Sequence, residues 1–97
     1  MARTYQSRIA LPIMRSEADS QWIESVLMSL QGEHVNIARS AYSDVYRDAY
    51  ESELVEYRKE GKARYAANTR LREYQRKCMG IYAEQLRQAQ QEKQFEW

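Results

Sequence analysis

Few residues in this 97-residue chain could carry a reaction: one histidine, His34, one cysteine, Cys78, and scattered serines. His34 has no second histidine or cysteine at metal-ligating spacing, so no zinc motif forms around it. No Gly-flanked serine, phosphate loop or Cys/His pair of recognisable spacing is present. His34 is therefore expected to be solvent-exposed or hydrogen-bonded locally, and Cys78, on an apolar stripe, to be core filler rather than a redox group. The chain is not expected to be an enzyme, and no catalytic residue, metal ligand or cofactor is assigned. What remains is the chemistry of contact, carried by eight tyrosines and an uneven charge layout.

The formal net charge is only +1, but it is sorted along the chain. Residues 1–15 carry +3. Residues 16–57 carry nine acids against Arg39 and Arg47, and residues 58–77 carry eight bases against Glu60 and Glu73. An acidic arm is followed by a basic one. Two readings fit: the arms fold antiparallel and their rims attract each other, each exposed pair adding about 0.2–1 kcal/mol, or the basic arm offers a face to a phosphate backbone.

These residues must be positioned by helices. The length suits one small domain. Leu, Ile, Val and Phe make up under a fifth of the chain, a level that points to disorder only when net charge is high. An elongated all-α protein that completes its burial against a partner is expected. Residues 1–15 hold the only proline, in Leu11-Pro12, and read as an extended lead-in. Its apolar residues Ile9, Leu11, Ile13 and Met14 either lie along the bundle or form a linear motif for another protein.

Ser16, as N-cap, opens a first helix over 16–31. Trp22, Ile23, Val26, Leu27 and Leu30 recur at helical steps, with Gly32 as the stop at C′. Asn36 caps a second helix over 36–60, on which Tyr42, Tyr46 and Tyr50 share one face. A third helix spans 62–94. With Gly61 as the turn, these two form a long antiparallel hairpin in which Val45 faces Lys77 and Cys78, Ala49 faces Glu73 and Tyr74, and Tyr42 faces Gly80. The absent side chain of Gly80 would then admit a tyrosine ring. That register fails if the helix is continuous through Gly61.

The end of this hairpin has too few apolar residues to bury much and should project. Tyr57, Arg58, Lys59, Lys62, Arg64 and Tyr65 are the candidate partner-contacting residues there, since interface hot spots favour tyrosine and arginine. A solvated helix end has the same composition. Pro12 and Trp97 are secondary anchors; Phe95 and Trp97 either dock on the bundle or enter a partner pocket. A lone cysteine excludes an intramolecular disulfide, residues 1–8 lack the apolar run of a signal peptide, and no stretch approaches a membrane span. A cytoplasmic location without membrane contact is expected. A self-associating coiled coil with a seam through Leu71, Tyr74, Cys78, Ile81 and Gln85 is a further alternative.

In length, helical layout and lack of a catalytic motif, the chain from Met1 to Trp97 resembles the small anti-RecBCD accessory proteins of lambdoid Salmonella-type phages. The resemblance implies a protein of the host bacterial cytoplasm that binds the RecBCD helicase-nuclease, with RecC as the docking subunit. It would alter the processing of DNA ends and favour phage DNA survival and recombination. The family is also linked to a host peptidyl-prolyl isomerase, for which Leu11-Pro12 is the only prolyl bond on offer.

Overall fold

The computed structural model describes residues 6–94, with side chains through Gln91. A 3-10 turn over Glu17–Asp19 leads into α1 (Ser20–Met28), followed by α2 (Glu33–Ser52), a second 3-10 turn over Glu56–Arg58, and α3 (Lys59–Gln94). No strand occurs among the described residues, and α2 and α3 form the antiparallel hairpin of an all-α fold.

α1 is the core anchor that its spacing predicts. Ile23 and Leu27 are completely buried, and Val26 and Leu30 nearly so, against Ala38, Tyr42, Ala63, Ala67 and Leu71 of the hairpin. The helix is shorter at both ends than the expected 16–31. Ser16 has the extended backbone of an N-cap, but its hydroxyl donates to Glu60 Oε1 at 2.8 Å instead of capping its own turn. At the other end, Ser25 and Ser29 bond back to the carbonyls of Trp22 and Val26, competing with the ladder as α1 closes. Gly32 follows with φ +55°, in the left-handed region that favours glycine, and the chain reverses there into α2. It thus precedes α2 directly rather than ending α1. α2 begins at Glu33, so Asn36 lies within the helix, where its side-chain oxygen accepts from Arg39 at 2.8 Å.

The hairpin turns at Glu53-Leu54-Val55, not at Gly61. Side chains set this position. Glu53 is extended, and its carboxylate accepts the Val55 N–H at 3.1 Å, which holds its pKa below the usual carboxylate range. Lys59 Nζ donates to the carbonyls of Tyr50, at 3.3 Å, and Glu53, satisfying acceptors that the end of α2 leaves open. Gly61 is an ordinary residue of the first turns of α3. The register moves accordingly: Tyr42 OH donates to Asn68 Oδ1 at 2.6 Å, so Tyr42 lies opposite Asn68 and not Gly80.

An added Cβ at either Gly61 or Gly80 meets nothing within 4 Å, so Gly80 makes room for no ring. Both glycines carry only the helix-propensity cost of about 1 kcal/mol relative to alanine. Gly61→Ala and Gly80→Ala are each expected to raise the unfolding free energy by up to about 1 kcal/mol. Urea titration checks this, and a loss of stability in either variant would show that the helix there is strained.

The molecule is long. Its Cα radius of gyration is 17.2 Å and its extents are 65 × 34 × 16 Å, whereas a compact chain of this length would have a radius near 12.5 Å. The cause is unequal helices: α3 is about 54 Å long and α2 about 30 Å. α3 therefore overruns the start of α2, where Tyr82 makes the last tie, accepting the Gln31 N–H at 2.8 Å and pairing with His34 Nδ1. Residues 83–91 beyond it are all exposed. Between the helices, tyrosine substitutes for aliphatic bulk. Tyr42 and Tyr46 are buried, and rings 42, 46 and 50 stack at 6.3 Å steps along α2. Burial raises the Tyr42 phenol far above its ordinary pKa, and Tyr46 rises for the same reason.

Candidate partner-contact surface at the hairpin tip

The eight residues singled out in the sequence fall into three groups. The first group serves the fold. Arg64 clamps Asp19 in a bidentate pair, with Nε to Oδ2 at 2.8 Å and the second nitrogen to Oδ1 at 2.9 Å. Asn68 adds a bond to Oδ2 at 3.1 Å and accepts from Tyr42, so Tyr42, Asn68, Asp19 and Arg64 form one network tying α1 to the hairpin. The Arg64 hydrogen bonds hold the Asp19 carboxyl below its usual range, and Asp19 in turn raises the Arg64 guanidinium. Arg64 thus serves the fold, with 40% of its side chain still exposed. Lys59 serves the fold too: its ammonium caps α2 and lies over the Tyr50 ring at 5.5 Å.

Pro12 serves the fold as well. Its ring is fully buried and its carbonyl accepts from Arg15 at 2.7 Å, while Ile9 and Leu11 pack against the core. The lead-in is docked along the bundle, held further by Arg39 donating to the Ala10 carbonyl at 2.6 Å. Of its large apolar residues, Ile13, 89% exposed, and to a lesser degree Met14 face outward. Trp97, with Phe95, lies outside the described residues.

The remaining group is exposed. Tyr57 is 80% and Tyr65 76% exposed, Arg58 lies over the Tyr57 ring at 5.5 Å, and Lys62 makes only a 4.0 Å contact with Glu53. The sequence reading missed the most exposed of all, Leu54, 93% exposed at the apex. Helical spacing from Tyr50 and to Tyr57 places Leu54 on an apolar stripe, and only the end of α2 at Ser52 takes it off that face. Leu54, Tyr57 and Tyr65 thus present apolar and aromatic surface at a rigid, cation-flanked tip. The fold gives these three side chains little to pack against.

His34 is bonded across the bundle rather than locally. Its ring also meets Tyr74 edge-on at 6.1 Å between centroids. Cys78 is buried in the core, beside Tyr74, whose phenol is raised in pKa by burial and by this neighbour. Leu71 and Cys78 are both buried within the chain's own core, which occupies two positions of the expected dimer seam. A cavity of about 90 Å³ opens between α2 and α3, lined by Ile37, Ala41, Val45, Leu71 and Tyr74. No cluster of three metal-ligating side chains occurs among the described residues, and none of their helices is long and apolar enough to cross a membrane.

The two charged arms do not neutralise each other as their sequence order suggests. Asp44 and Asp48 of α2 pair with Arg47 of the same helix, at 3.2 and 3.6 Å. Among the described residues, α3 cations pair with acids of other elements only at Arg64–Asp19 and Lys62–Glu53. No protein-family model matches the chain, and neither a curated protein nor a solved structure matches it significantly.

Proposed function

We propose that this protein acts by contact, docking the hairpin tip into a larger protein, and that the partner is the host RecBCD helicase-nuclease. The observation that carries the contact reading is the tip itself. Leu54, Tyr57 and Tyr65 are held exposed at the end of a hairpin whose turn is fixed by Lys59 and Glu53. Anchors of this kind bind well because a rigid scaffold leaves little ordering cost to be met on docking. The partner's identity rests on the resemblance to the phage anti-RecBCD accessory proteins. On this reading the chain is phage-encoded, works in the host cytoplasm, engages RecC, and shifts DNA-end processing toward phage survival and recombination. Capture of Leu11-Pro12 by a prolyl isomerase would require the docked lead-in to release first.

The test is binding of the purified chain to purified RecBCD, followed by DNA-end degradation with and without it. Saturable binding that slows or alters degradation is expected. Leu54→Ala combined with Tyr57→Ala should weaken that binding at least 30-fold, about 2 kcal/mol, the scale of hot-spot loss. Both residues are exposed, so the melting curve should stay close to that of the parent. No binding at micromolar concentration would remove RecBCD as the partner, and full affinity in the double variant would remove the tip.

A further inference from the structure

We propose that the solvent face of α3 between Arg58 and Lys77 binds the phosphate backbone of duplex DNA without regard to sequence. Six exposed cations lie on this stretch: Arg58, Lys62, Arg70, Arg72, Arg76 and Lys77. They extend over about 28 Å of helix. Among the described residues only Lys62 has a carboxylate within ion-pair distance, at 4.0 Å. Three acids of the two arms are engaged elsewhere. Glu60 accepts from Ser16 on the α1 side, and Asp44 and Asp48 are held by Arg47 on α2. Glu73 is the one acid of the stretch with no such engagement. Among the described residues the fold thus leaves a ridge with more exposed cations than ion-paired acids.

The shape of the ridge selects the kind of polyanion. Single strands are held in grooves lined by aromatic side chains on which bases stack. The ridge's most exposed rings, Tyr57 and Tyr65, lie at one end. Around Arg70 to Lys77 the rings are Tyr74, half-buried and edge-on to His34, and Trp22, half-buried beneath Arg72. Arg72 is steadied over the Trp22 ring at 4.9 Å, which fixes one cation without neutralising it. With Trp22 covered by Arg72 and Tyr74 engaged by His34, a row of cations along a helix suits the regular phosphate rows of a duplex, whose contacts position a protein without reading bases.

The experiment is fluorescence anisotropy of the full chain with a mixed-sequence duplex of about 30 base pairs, roughly the span of contact plus flanks, from 50 to 200 mM salt. Engagement of four phosphates gives a log–log slope of about −3.6. The triple variant Arg70→Gln, Arg76→Gln, Lys77→Gln removes three exposed cations that form no ion pair among the described residues. It should bind at least tenfold more weakly at 50 mM salt, with a slope shallower by about 2.7, while its melting curve is retained. The Leu54→Ala, Tyr57→Ala double variant should bind DNA as the parent does, which separates this surface from the tip. Absence of saturable binding at 50 mM salt, an unchanged slope in the triple variant, or preference for a single strand of equal length would each overturn the proposal.

Discussion

Leu27→Ala should lower the unfolding free energy by about 3 kcal/mol, within the range for emptying a fully buried leucine site. Leu27 has no exposed surface and sits with Ile23, Val26 and Leu30 between α1 and the hairpin. α1 has nine residues, too few to persist alone in water, so its helicity depends on the packing that this side chain supplies. Domains of this kind have about 5–15 kcal/mol in total, and a thin core places this one toward the low end. The change would therefore leave a measurable unfolded fraction. Urea unfolding followed by far-UV circular dichroism at an unchanged m value is the check. The contrast is Leu86→Ala on the overrunning end of α3, where a 62% exposed side chain should cost under about 0.5 kcal/mol. If the two variants proved equally stable, α1 would not be the anchor of the fold.

Asp19→Asn should cost about 2 kcal/mol at neutral pH, as expected for losing charged hydrogen bonds that are partly screened by water at Arg64. The Asp19 side chain is 13% exposed, and the substitution turns an amide nitrogen toward donors on Arg64 and Asn68. The effect should depend on pH in a definite direction. Because the folded-state pKa of Asp19 is lowered by Arg64, its contribution is fully present above the unfolded carboxyl value, about 3.9, and is lost as pH falls through the folded value. The gap between parent and variant should accordingly be widest near pH 7 and shrink below about pH 4. Equal gaps at pH 7 and pH 3 would show that the network contributes packing rather than charge.

Both predictions concern α1, where sequence periodicity was most informative. The steps from Trp22 to Leu30 place Ile23, Val26, Leu27 and Leu30 on the buried side, and the structure buries them. The tyrosine stripe on α2 was legible for the same reason: rings at every fourth position share a face whatever that face meets. The turn was misplaced because glycine is strong punctuation in a sequence but is tolerated in a helix at about 1 kcal/mol. Lys59 reaching back to two carbonyls outweighs that cost, and no local pattern announces a lysine as a cap. The candidate site suffered likewise. Tyr57, Arg58, Lys62 and Tyr65 are exposed as a projecting tip requires, whereas Arg64 is held by Asp19, 45 residues away in the chain, and Pro12 is buried.

The order of the amino acids alone determined an all-α chain, its three helical segments, the amphipathic faces of α1 and α2, and the lack of any motif for catalysis or metal binding. Each of these follows from local spacing, which a helix converts directly into a face. Tertiary structure alone decided the register that sets Tyr42 against Asn68 and the pairing of Asp19 with Arg64, which depend on groups 26 and 45 residues apart in the chain meeting in space. The turn at Glu53–Val55 is set by side chains two to nine residues from the backbone groups they bond, a pattern that helical periodicity does not register. Composition balances charges on paper, but only packing determines which of them come within reach of one another.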